Sequence, residues 1–525
     1  MPARYNYFAM MATADLGLTV KEALSSPESV QWRKAMDQEL ESFRKNEVFQ
    51  LVVAPKGATI VKSRWVFKKK VKSDNEVQYR ARLVAKGFTQ KYGLDYDETF
   101  APVVRHSTLR LLLALSVKLG LDITQLDVKT AYLNGYLKEN IYMCAPEGFE
   151  PEMSGKVLKL KKAVYGLKQS ALAWYERVRD VLCKNDFKNC IQEPCLFTKM
   201  SKDVKVILAL YVDDFLIFSN CKIETEKLKY ILNSEFEIKD LGEVKQYLGM
   251  NINVHKDCNN YEITVDQHLY IEELLQKFNM TDCRTADTPI EIKLNVSKAE
   301  KCTEGISYQK LIGCLMYLSV MTRPDITYSV SYLSQFNTCY NVEHWNYAKR
   351  VLRYLKKTKM YCLKFSSKGE SLQGFVDADW ASNNIDRKSY TGFCFIMSGS
   401  AISWQSRKQR VTALSSTEAE YVALSEACRE SIYLREILYE LTGSLLSLKL
   451  NCDNQSAIKM ATKHQCHNRS KHIDVKHHFI REVIKDSIVE INYLCTNEMP
   501  ADLLTKGLSS VKHYKFIEML GISKL

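Results

Sequence analysis

Residues 205–219 read KVILALYVDDFLIFS, an apolar stretch interrupted by Asp213 and Asp214. Two adjacent carboxylates in an apolar strand pattern cannot both be buried and ionised without a counter-charge, because desolvation costs several kcal/mol per ion. A bound divalent cation is the simplest counter-charge. Because neighbouring side chains of a strand point to opposite faces, a tight turn must intervene if both aspartates are to approach one metal. The pattern therefore predicts a β-hairpin with Val212-Asp213-Asp214 at its tip.

A solvated Asp-Asp turn is the alternative, and the apolar flanks Leu208, Leu210 and Phe215 argue against it. Sites that hold two divalent cations, roughly 3.5–4 Å apart, need further carboxylate ligands. Asp127 is the candidate for the third ligand, since it lies at the end of a predicted strand in QLDVKTAYLNGYL.

Length and composition indicate a multidomain intracellular protein. The 525 residues are too many for one ordinary core. The formal charge of +13 suits a polyanionic partner, although a basic surface can also serve solubility alone. The 16 cysteines are scattered singly, which favours reduced thiols. Neither a secretory signal nor a membrane-length apolar run is present, so we expect a soluble protein.

Periodicity predicts the elements that surround these acids. Residues 21–45 have helical spacing, residues 62–90 alternate like strands, and residues 107–120 form a helix before the strand that ends at Asp127. Polar stretches at residues 283–304 and 366–371 mark candidate boundaries, and a long helix is expected near residues 416–441.

Several motifs in fixed order carry a family resemblance. DVKTAYLNG, YGLKQSALAWY, YVDDFLIF and KDLGEVKQYLGM follow RARLVAKGFTQ and ETFAPVVR. Together they resemble the Pol polyprotein of copia-type long-terminal-repeat retrotransposons, in its reverse transcriptase and ribonuclease H region. The resemblance extends over nearly the whole chain.

The resemblance implies roles for the residues that match these motifs. Asp127, Asp213 and Asp214 match the metal-binding triad, and Tyr132 matches the aromatic steric gate that rejects a 2′-OH. The other implied nucleotide contacts are Arg82, Gln169 and either Lys70 or Lys72. Lys239 is a candidate general acid for the pyrophosphate leaving group, and QYLGM at residues 246–250 resembles the primer grip.

Charge and one departure from the family bear on polymerase activity. Residues 62–90 contain nine Lys or Arg against two acids, a local excess that suits a phosphate-binding finger. The family usually follows the glutamine with a small residue, proline and arginine, whereas this chain has Ser170-Ala171-Leu172. That change removes a fixed φ and a cation that could contact the template.

A second acidic constellation follows residue 370. GFVDADWA, LSSTEAEYVAL, LNCDNQSA and MPADLLTK resemble the ribonuclease H domain of the same elements. The implied metal ligands are Asp377 on the first strand, Glu420 on a helix, Asp453 after a strand and Asp502 at the start of the last helix. The segment 495–501 lacks the histidine that many ribonucleases H carry there.

Local rules choose between neighbouring acids in this constellation. The side chain of Asp379 should point away from that of Asp377, because strand side chains alternate. Ser415 and Glu418 form a capping-box pattern, which leaves Glu420 as the expected ligand. In residues 343–359, one helical face is apolar and the other is basic. This basic face either follows a nucleic acid or is simply solvated.

Taken together, the sequence predicts an α+β protein, with a right-hand polymerase (fingers, palm and thumb) followed by a ribonuclease H-like α/β domain. The expected boundaries are an N-terminal extension at 1–30, fingers and palm at 31–282, thumb and connection at 283–370, ribonuclease H at 371–510 and a C-terminal tail at 511–525.

The resemblance implies RNA-directed and DNA-directed DNA synthesis together with cleavage of the RNA strand of the hybrid. Each active site would use two Mg²⁺ ions, for which Mn²⁺ can substitute. The implied partners are RNA template, DNA primer, RNA–DNA hybrid, dNTPs, a second copy of the chain, and the integrase and protease parts of a longer polyprotein, with no membrane. The expected location is the cytoplasm, within a virus-like particle, or the nucleus. The alternative is a decayed or domesticated copy that binds nucleic acid without polymerase activity.

Overall fold

The structure is a computed structural model that describes residues 17–71, 77–149, 155–383, 385–445, 447–462 and 474–525. The chain forms two compact units. Unit 1 comprises residues 1–104 and 124–242, and unit 2 comprises residues 105–123 and 243–525. Lys72 and the side chain of Lys70 lie outside the described residues.

Unit 1 contains helices and three sheets. Its helices are α1 (Val20–Ser25), α2 (Ser29–Lys45), α4 (Ser170–Lys184) and α5 (Lys222–Glu235). Its strands are β1 (Phe49–Val52), β2 (Ile60–Val61), β3 (Ser63–Val71), β4 (Val77–Ala85), β5 (Asp122–Val128), β6 (Tyr136–Met143), β7 (Val157–Lys162), β8 (Lys188–Asn189), β9 (Leu196–Met200), β10 (Lys205–Tyr211), β11 (Asp214–Ser219) and β12 (Ile238–Glu243). The strand orders are β1-β7-β6-β2, β3-β4 and β12-β5-β11-β10-β9-β8.

The predicted local patterns of unit 1 are confirmed. The apolar stripe of α2, made of Trp32, Met36, Leu40 and Phe43, is fully buried. Trp32 packs edge-on against Phe67 of β3 and Tyr79 of β4, with ring centroids 5.2 and 4.8 Å away. The basic segment forms the antiparallel β3–β4 hairpin. Helix α2 therefore packs on one face of the β3–β4 pair. The apolar and polar residues of these strands alternate because one face is buried and the other is exposed to solvent.

The acidic stretch forms the predicted hairpin. Strands β10 and β11 pair antiparallel with Tyr211 opposite Asp214, so Val212 and Asp213 form a two-residue turn. Their flanks are buried in the middle of the six-stranded sheet, where β11 neighbours β5. The sheet thereby brings the end of β5 next to the hairpin tip.

Unit 2 contains a larger set of helices and two five-stranded sheets. Its helices are α3 (His106–Leu119), α6 (His268–Lys277), α7 (Tyr308–Met321), α8 (Thr327–Ser334), α9 (Val342–Lys357), α10 (Ser416–Thr442), α11 (Gln455–Thr462), α12 (Asp474–Lys485) and α13 (Ser510–Met519). Its strands are β13 (Gln246–Tyr247), β14 (Met250–Asp257), β15 (Asn260–Asp266), β16 (Tyr361–Ser366), β17 (Gln373–Ala378), β18 (Tyr390–Met397), β19 (Ser400–Lys408), β20 (Leu448–Cys452), β21 (Val489–Tyr493) and β22 (Ile522–Lys524).

One sheet of unit 2 has the order β19-β18-β17-β20-β21, and the other β13-β14-β15-β16-β22. In the first sheet, β17 pairs antiparallel with β18 and parallel with β20, which continues in parallel to β21. In the second sheet, β22 pairs with β16. Residues 511–525, which we expected to be a tail, thus supply most of α13 and the edge strand β22.

Helix α3 belongs to unit 2 although its sequence lies between β4 and β5. Arg110 fixes it there. The buried guanidinium donates to the carbonyl oxygens of Ile402 at 2.7 Å, Val320 at 2.8 Å and Met321 at 2.9 Å. It also lies 3.8 Å from the ring centroid of Trp404. The expected boundaries at 282/283 and 370/371 both fall inside unit 2.

The basic face of α9 is largely used within the chain. Lys357 pairs with Asp287, and Arg350 lies 2.9 Å from Glu291. Lys356 donates to the carbonyl oxygen of Cys283 at 2.8 Å. These three cations therefore bind the segment 283–291 along α9.

Candidate active sites

The first candidate site is the acidic tip of the β10–β11 hairpin in unit 1. Val212 adopts a left-handed φ of 58°, which is unfavourable for a β-branched residue. Two contacts fix this turn: the indole Nε1 of Trp174 donates to the Val212 carbonyl at 2.5 Å, and the Val128 amide donates to the Asp213 carbonyl at 2.9 Å. The second bond places the residue after Asp127 directly against the hairpin tip.

The three carboxylates at this tip repel one another electrostatically. Burial, followed by the charges of Asp213 and Asp127, raises the pKa of Asp214 to about 7. Burial and the charge of Asp127 also raise the pKa of Asp213, while Arg82 acts in the opposite direction. Acidic side chains this close together oppose each other's ionisation. A divalent cation stabilises their ionised forms, and carboxylate oxygens are its preferred ligands. The residues therefore fit the Mg²⁺ that the sequence implies.

Arg82 and Tyr132 meet the same aromatic ring beside this tip. The Arg82 guanidinium lies 4.7 Å from the centroid of the Tyr165 ring, and the buried Tyr132 ring lies edge-on to it at 5.0 Å. Tyr165 belongs to the YGLKQ motif, but sequence reasoning gave it no role. Tyr165 therefore contacts both Arg82 and Tyr132, the two residues predicted to bind the nucleotide.

Gln169 is buried in a hydrogen-bond network. Its Nε2 donates to the Asp95 carbonyl at 2.8 Å, and its Oε1 accepts from Gln90 Nε2 at 3.0 Å. Gln90 Oε1 in turn accepts from the Lys168 amide at 2.9 Å. The side chain of Gln169 thus joins the start of α4 to the loop that follows β4.

The remaining candidate residues of unit 1 are Lys239, Lys70 and Lys72, together with the segment that follows Gln169. Lys239 is exposed on β12. Lys72 and the side chain of Lys70 lie outside the described residues. Ser170 begins α4, and its hydroxyl donates to the Val164 carbonyl at 2.5 Å. The divergent segment after Gln169 is therefore a regular first helical turn.

The segment 246–250, which resembles the primer grip, lies in unit 2. It comprises β13, the turn at Leu248 and Gly249 and the first residue of β14. In the turn, the Leu248 carbonyl accepts from the Tyr317 hydroxyl at 2.5 Å. Its expected contact with a primer stays a prediction.

The second candidate site is an acidic pocket in unit 2 formed by the four predicted ligands. Asp377 lies on β17, Glu420 in the first turns of α10, and Asp453 directly after β20. Asp502 lies in the 3₁₀ turn Pro500–Leu504, not at the start of the last helix as expected, because Pro500 begins a short turn that ends before α13. Asp377, Glu420 and Asp502 are buried.

The ligand atoms of this pocket converge into two groups that share Asp453. One oxygen each of Asp377, Asp453 and Asp502 lie within 4.8 Å of one another, and so do single ligand atoms of Glu420, Cys452 and Asp453. Within the described residues, the unit 1 acids do not form so close a group. Cys452 was not predicted; burial raises the pKa of its thiol well above the usual value, which disfavours it as a ligand for hard Mg²⁺.

Electrostatics in this pocket favour a cation. Burial and the neighbouring acids raise the pKa of Asp377 to about 7 and that of Glu420 well above its usual value. Glu420 Oε2 is buried and accepts no hydrogen bond from the described residues. A buried carboxylate oxygen without a hydrogen-bond donor, on a residue of an acidic group, fits a metal ligand.

Asp379 and Glu418, the neighbouring acids that were not chosen as ligands, are hydrogen-bonded to backbone amides. Asp379 turns away from the pocket, where it accepts hydrogen bonds from the amides of Ser382, at 3.1 Å, and Tyr390. Ser415 Oγ accepts from the Glu418 amide at 3.2 Å, and Glu418 Oε2 accepts from the Leu414 amide at 2.7 Å. Backbone donors thus satisfy both Asp379 and Glu418.

Sequence reasoning missed two lysines at this pocket. Lys506 Nζ lies 2.7 Å from Asp502 Oδ1 and 3.6 Å from Asp377 Oδ2, and Lys512 Nζ lies 2.6 Å from Asp502 Oδ2. The Thr505 hydroxyl also donates to Asp377 Oδ2. Lys506 was present in the quoted MPADLLTK motif, four residues after Asp502, and this spacing could have indicated the contact.

Known proteins resemble this chain in sequence. Residues 46–292 match the family described as reverse transcriptase (RNA-dependent DNA polymerase). The chain is 42% identical over 518 residues to the Pol polyprotein from transposon TNT 1-94 of Nicotiana tabacum, covering 96% of this chain and 39% of that protein. It is 35% identical to that from transposon RE1 of Arabidopsis thaliana, covering 96% of this chain and 35% of that protein. The chain is also 33% identical over 310 residues to the putative transposon Ty5-1 protein of Saccharomyces cerevisiae. That match covers 58% of this chain and the full length of that protein.

Solved structures show only distant likeness. The foamy viral protease-reverse transcriptase in complex with dsDNA has 13% sequence identity and a TM-score of 0.48, with 89% of this chain and 83% of that chain covered.

A mixed helix-and-sheet chain with two acidic sites and these relatives is a retroelement protein of the reverse transcriptase class. It belongs to the Pol polyproteins of copia-type retrotransposons and includes their reverse transcriptase region. The chain spans 35 to 39% of the length of these polyproteins. None of the described helices is long and apolar enough to cross a membrane.

Proposed function

We propose that the chain is an RNA-directed and DNA-directed DNA polymerase with ribonuclease H activity, which makes retrotransposon cDNA and degrades the RNA strand of the hybrid. The observation that carries the polymerase half is the placement of Asp127 beside Asp213 and Asp214, through the bond from the Val128 amide to the Asp213 carbonyl. Burial and repulsion between the acids raise the pKa values of the two hairpin aspartates. Unit 1 would supply the fingers and palm.

Asp127, Asp213 and Asp214 would hold two Mg²⁺ ions, whose chemistry there would be charge neutralisation at the triphosphate and Lewis-acid activation of the primer 3′-OH. Arg82 binds the triphosphate of the incoming dNTP, with Lys70 or Lys72 as a second cation. Tyr132, held against Tyr165, packs on the sugar and excludes a 2′-OH. Gln169 orients the nucleotide and template, and Lys239 protonates the pyrophosphate.

For the ribonuclease H half, Asp377, Glu420, Asp453 and Asp502 would hold metal that activates water for cleavage of the RNA strand. The unpartnered Glu420 Oε2 is the observation that supports this assignment. RNA template, DNA primer and hybrid are the nucleic-acid partners. A homodimer, contacts with integrase and protease, and a location in cytoplasmic virus-like particles or the nucleus belong to the same proposal.

A second candidate is a copy that binds nucleic acid without polymerising, and the segment Ser170-Ala171-Leu172 favours it. Against it, Ser170 anchors the start of α4 through the Val164 carbonyl, so the position of Gln169 does not depend on a proline. The two candidates make opposite predictions for DNA synthesis.

Primer extension on poly(rA) with Mg²⁺ tests the polymerase half. We expect synthesis by the wild type and a loss of at least 100-fold in Asp213→Asn, while hybrid binding is kept. Cleavage of a labelled RNA–DNA hybrid tests the other half, and Asp453→Asn should abolish it without affecting extension. Soluble wild-type protein that binds hybrid but extends no primer would establish the second candidate.

A further inference from the structure

The turn that carries the hairpin aspartates has an unfavourable residue at its first position. Between β10 and β11, Val212 has a φ of 58°, whereas the φ of Asp213 is not positive. A positive φ at only the first of two turn residues is typical of a type II′ turn, in which glycine normally occupies that position. Valine is poorly suited to it, because a β-branched side chain is strained in the left-handed region. Contacts from elsewhere in the chain must therefore stabilise this turn.

Trp174 of α4 supplies a contact at the strained residue itself. Its indole Nε1 donates to the Val212 carbonyl at 2.5 Å, and the side chain is only 1% exposed, so it has no room to swing away. That carbonyl belongs to the planar peptide that joins Val212 to Asp213. The bond therefore fixes the orientation of the peptide from which the Asp213 side chain departs.

The same indole also contacts the segment that supports Asp127. Its ring packs edge-on against Phe236, with ring centroids 4.9 Å apart. The next residue, Glu237, accepts a hydrogen bond at its carbonyl oxygen from the Lys129 amide at 2.9 Å, two positions after Asp127. Trp174 thus touches both the hairpin turn and the segment that binds the end of the strand bearing Asp127.

We propose that Trp174 is a positioning residue of the acidic hairpin: its indole holds Val212 in the left-handed conformation and thereby directs the carboxylates of the turn toward Asp127. Valine held by this bond makes a more rigid turn than glycine would, because glycine has more conformations to lose. This inference rests on the proposed polymerase function and adds to it a residue that acts through the turn.

A pair of substitutions tests the inference in primer extension on poly(rA) by the full chain. Trp174→Phe keeps an aromatic ring against Phe236 and removes the N–H donor. We expect it to lower kcat at least tenfold and to leave the KM for dTTP within twofold, because the contact between Arg82 and Tyr165 is unchanged. In a Val212→Gly background, the same substitution should lower kcat less than threefold, because glycine adopts the left-handed φ without the bond.

Trp65→Phe is the matched control. Trp65 is buried in β3, and its indole Nε1 donates to the Glu147 carbonyl at 3.0 Å, so this variant also loses an indole–carbonyl bond in unit 1. Urea unfolding should show a similar loss of stability for Trp65→Phe and Trp174→Phe. The kcat of Trp65→Phe should nevertheless stay within twofold of the wild type, which separates positioning of the turn from general destabilisation.

Amide hydrogen exchange across residues 209–216 tests the same inference without substrate. Trp174→Phe should speed exchange in this segment at least tenfold, and Trp65→Phe should leave it unchanged. If Trp174→Phe fails to fold, Trp174→Met takes its place, because methionine fills irregular spaces and provides no donor.

An equal loss of kcat from Trp174→Phe in both backgrounds would overturn the inference, and so would unchanged hydrogen exchange across residues 209–216. Either result leaves the polymerase proposal standing as long as the wild type extends the primer. A wild-type protein that extends no primer would overturn the polymerase proposal, and hydrogen exchange would then still decide whether Trp174 holds the turn.

Discussion

At the scale of single residues, charge burial shapes this chain beyond its two acidic sites. Glu39 of α2 accepts from the Leu83 amide at 3.2 Å and so links the helix to β4. Burial raises the pKa of its carboxyl from 4.5 to about 7, although the amide and Arg82 act in the opposite direction. The folded state thus binds a proton more tightly than the unfolded chain does.

This shift predicts a pH dependence of stability. For a carboxyl whose folded pKa is raised, the stabilising contribution is present below about pH 4.5 and is lost as pH rises through about 7. Glu39→Gln removes that loss, so we expect it to raise the free energy of unfolding by roughly 1–3 kcal/mol at pH 8.5 and by less at pH 5.5. Urea unfolding at both pH values measures this. Glu41→Gln, exposed on the same helix, should show no such trend, and an equal gain at both pH values would contradict the explanation.

At the scale of elements, two glycines hold β4 against the loop before α4. The Ala85 amide donates to the Tyr165 carbonyl at 2.7 Å. A Cβ on Gly166 would lie 2.1 Å from the Ala85 carbonyl oxygen, and one on Gly87 would lie 2.1 Å from the Gly166 carbonyl oxygen. This close backbone approach is what places Arg82 over Tyr165.

We therefore expect Gly166→Ala to weaken both folding and nucleotide binding. The φ of +94° adds backbone strain to the steric overlap, and together they should cost roughly 2–4 kcal/mol. Because Tyr165 and Arg82 would shift, the KM for dNTP should rise severalfold in primer extension. Gly57→Ala is the matched control, since Gly57 has a φ of +80° but no atom within 4 Å of its Cβ position. Its loss should be near 1 kcal/mol, and equal losses in both variants would show that the contact with Ala85 is unimportant.

The elements also show which features a sequence can predict. The stripe of Trp32, Met36 and Leu40 and the hairpin around Asp213 followed from local periodicity and local charge, and both are confirmed. The left-handed Val212 and its bond to Trp174 were not predicted, because that partner comes from a distant helix. Contacts of this kind depend on tertiary packing that no periodicity encodes.

At the scale of the whole molecule, each compact unit is built from segments that are not consecutive in the sequence. The chain leaves unit 1 after residue 104, contributes α3 to unit 2, and returns with the strand that bears Asp127. Sequence alone placed α3 in the polymerase half, because nothing in its apolar pattern identifies its packing partner. Unit 2, with its acidic pocket, therefore depends on residues that precede that pocket by more than 250 positions.

Substitution of Arg110 in α3 tests whether unit 2 depends on this helix. Its buried guanidinium satisfies three carbonyl oxygens, those of Ile402, Val320 and Met321, and burial lowers its pKa to about 9. Arg110→Met would leave these acceptors unpaired, so we expect unit 2 to lose roughly 3–5 kcal/mol. Hybrid cleavage should then fail at a lower temperature than in the wild type, although no metal ligand of the pocket has changed. Lys118→Met, exposed on the same helix, should leave both properties unaltered. If the Arg110 variant kept wild-type thermal stability of cleavage, α3 would not be part of the folding unit that supports the pocket.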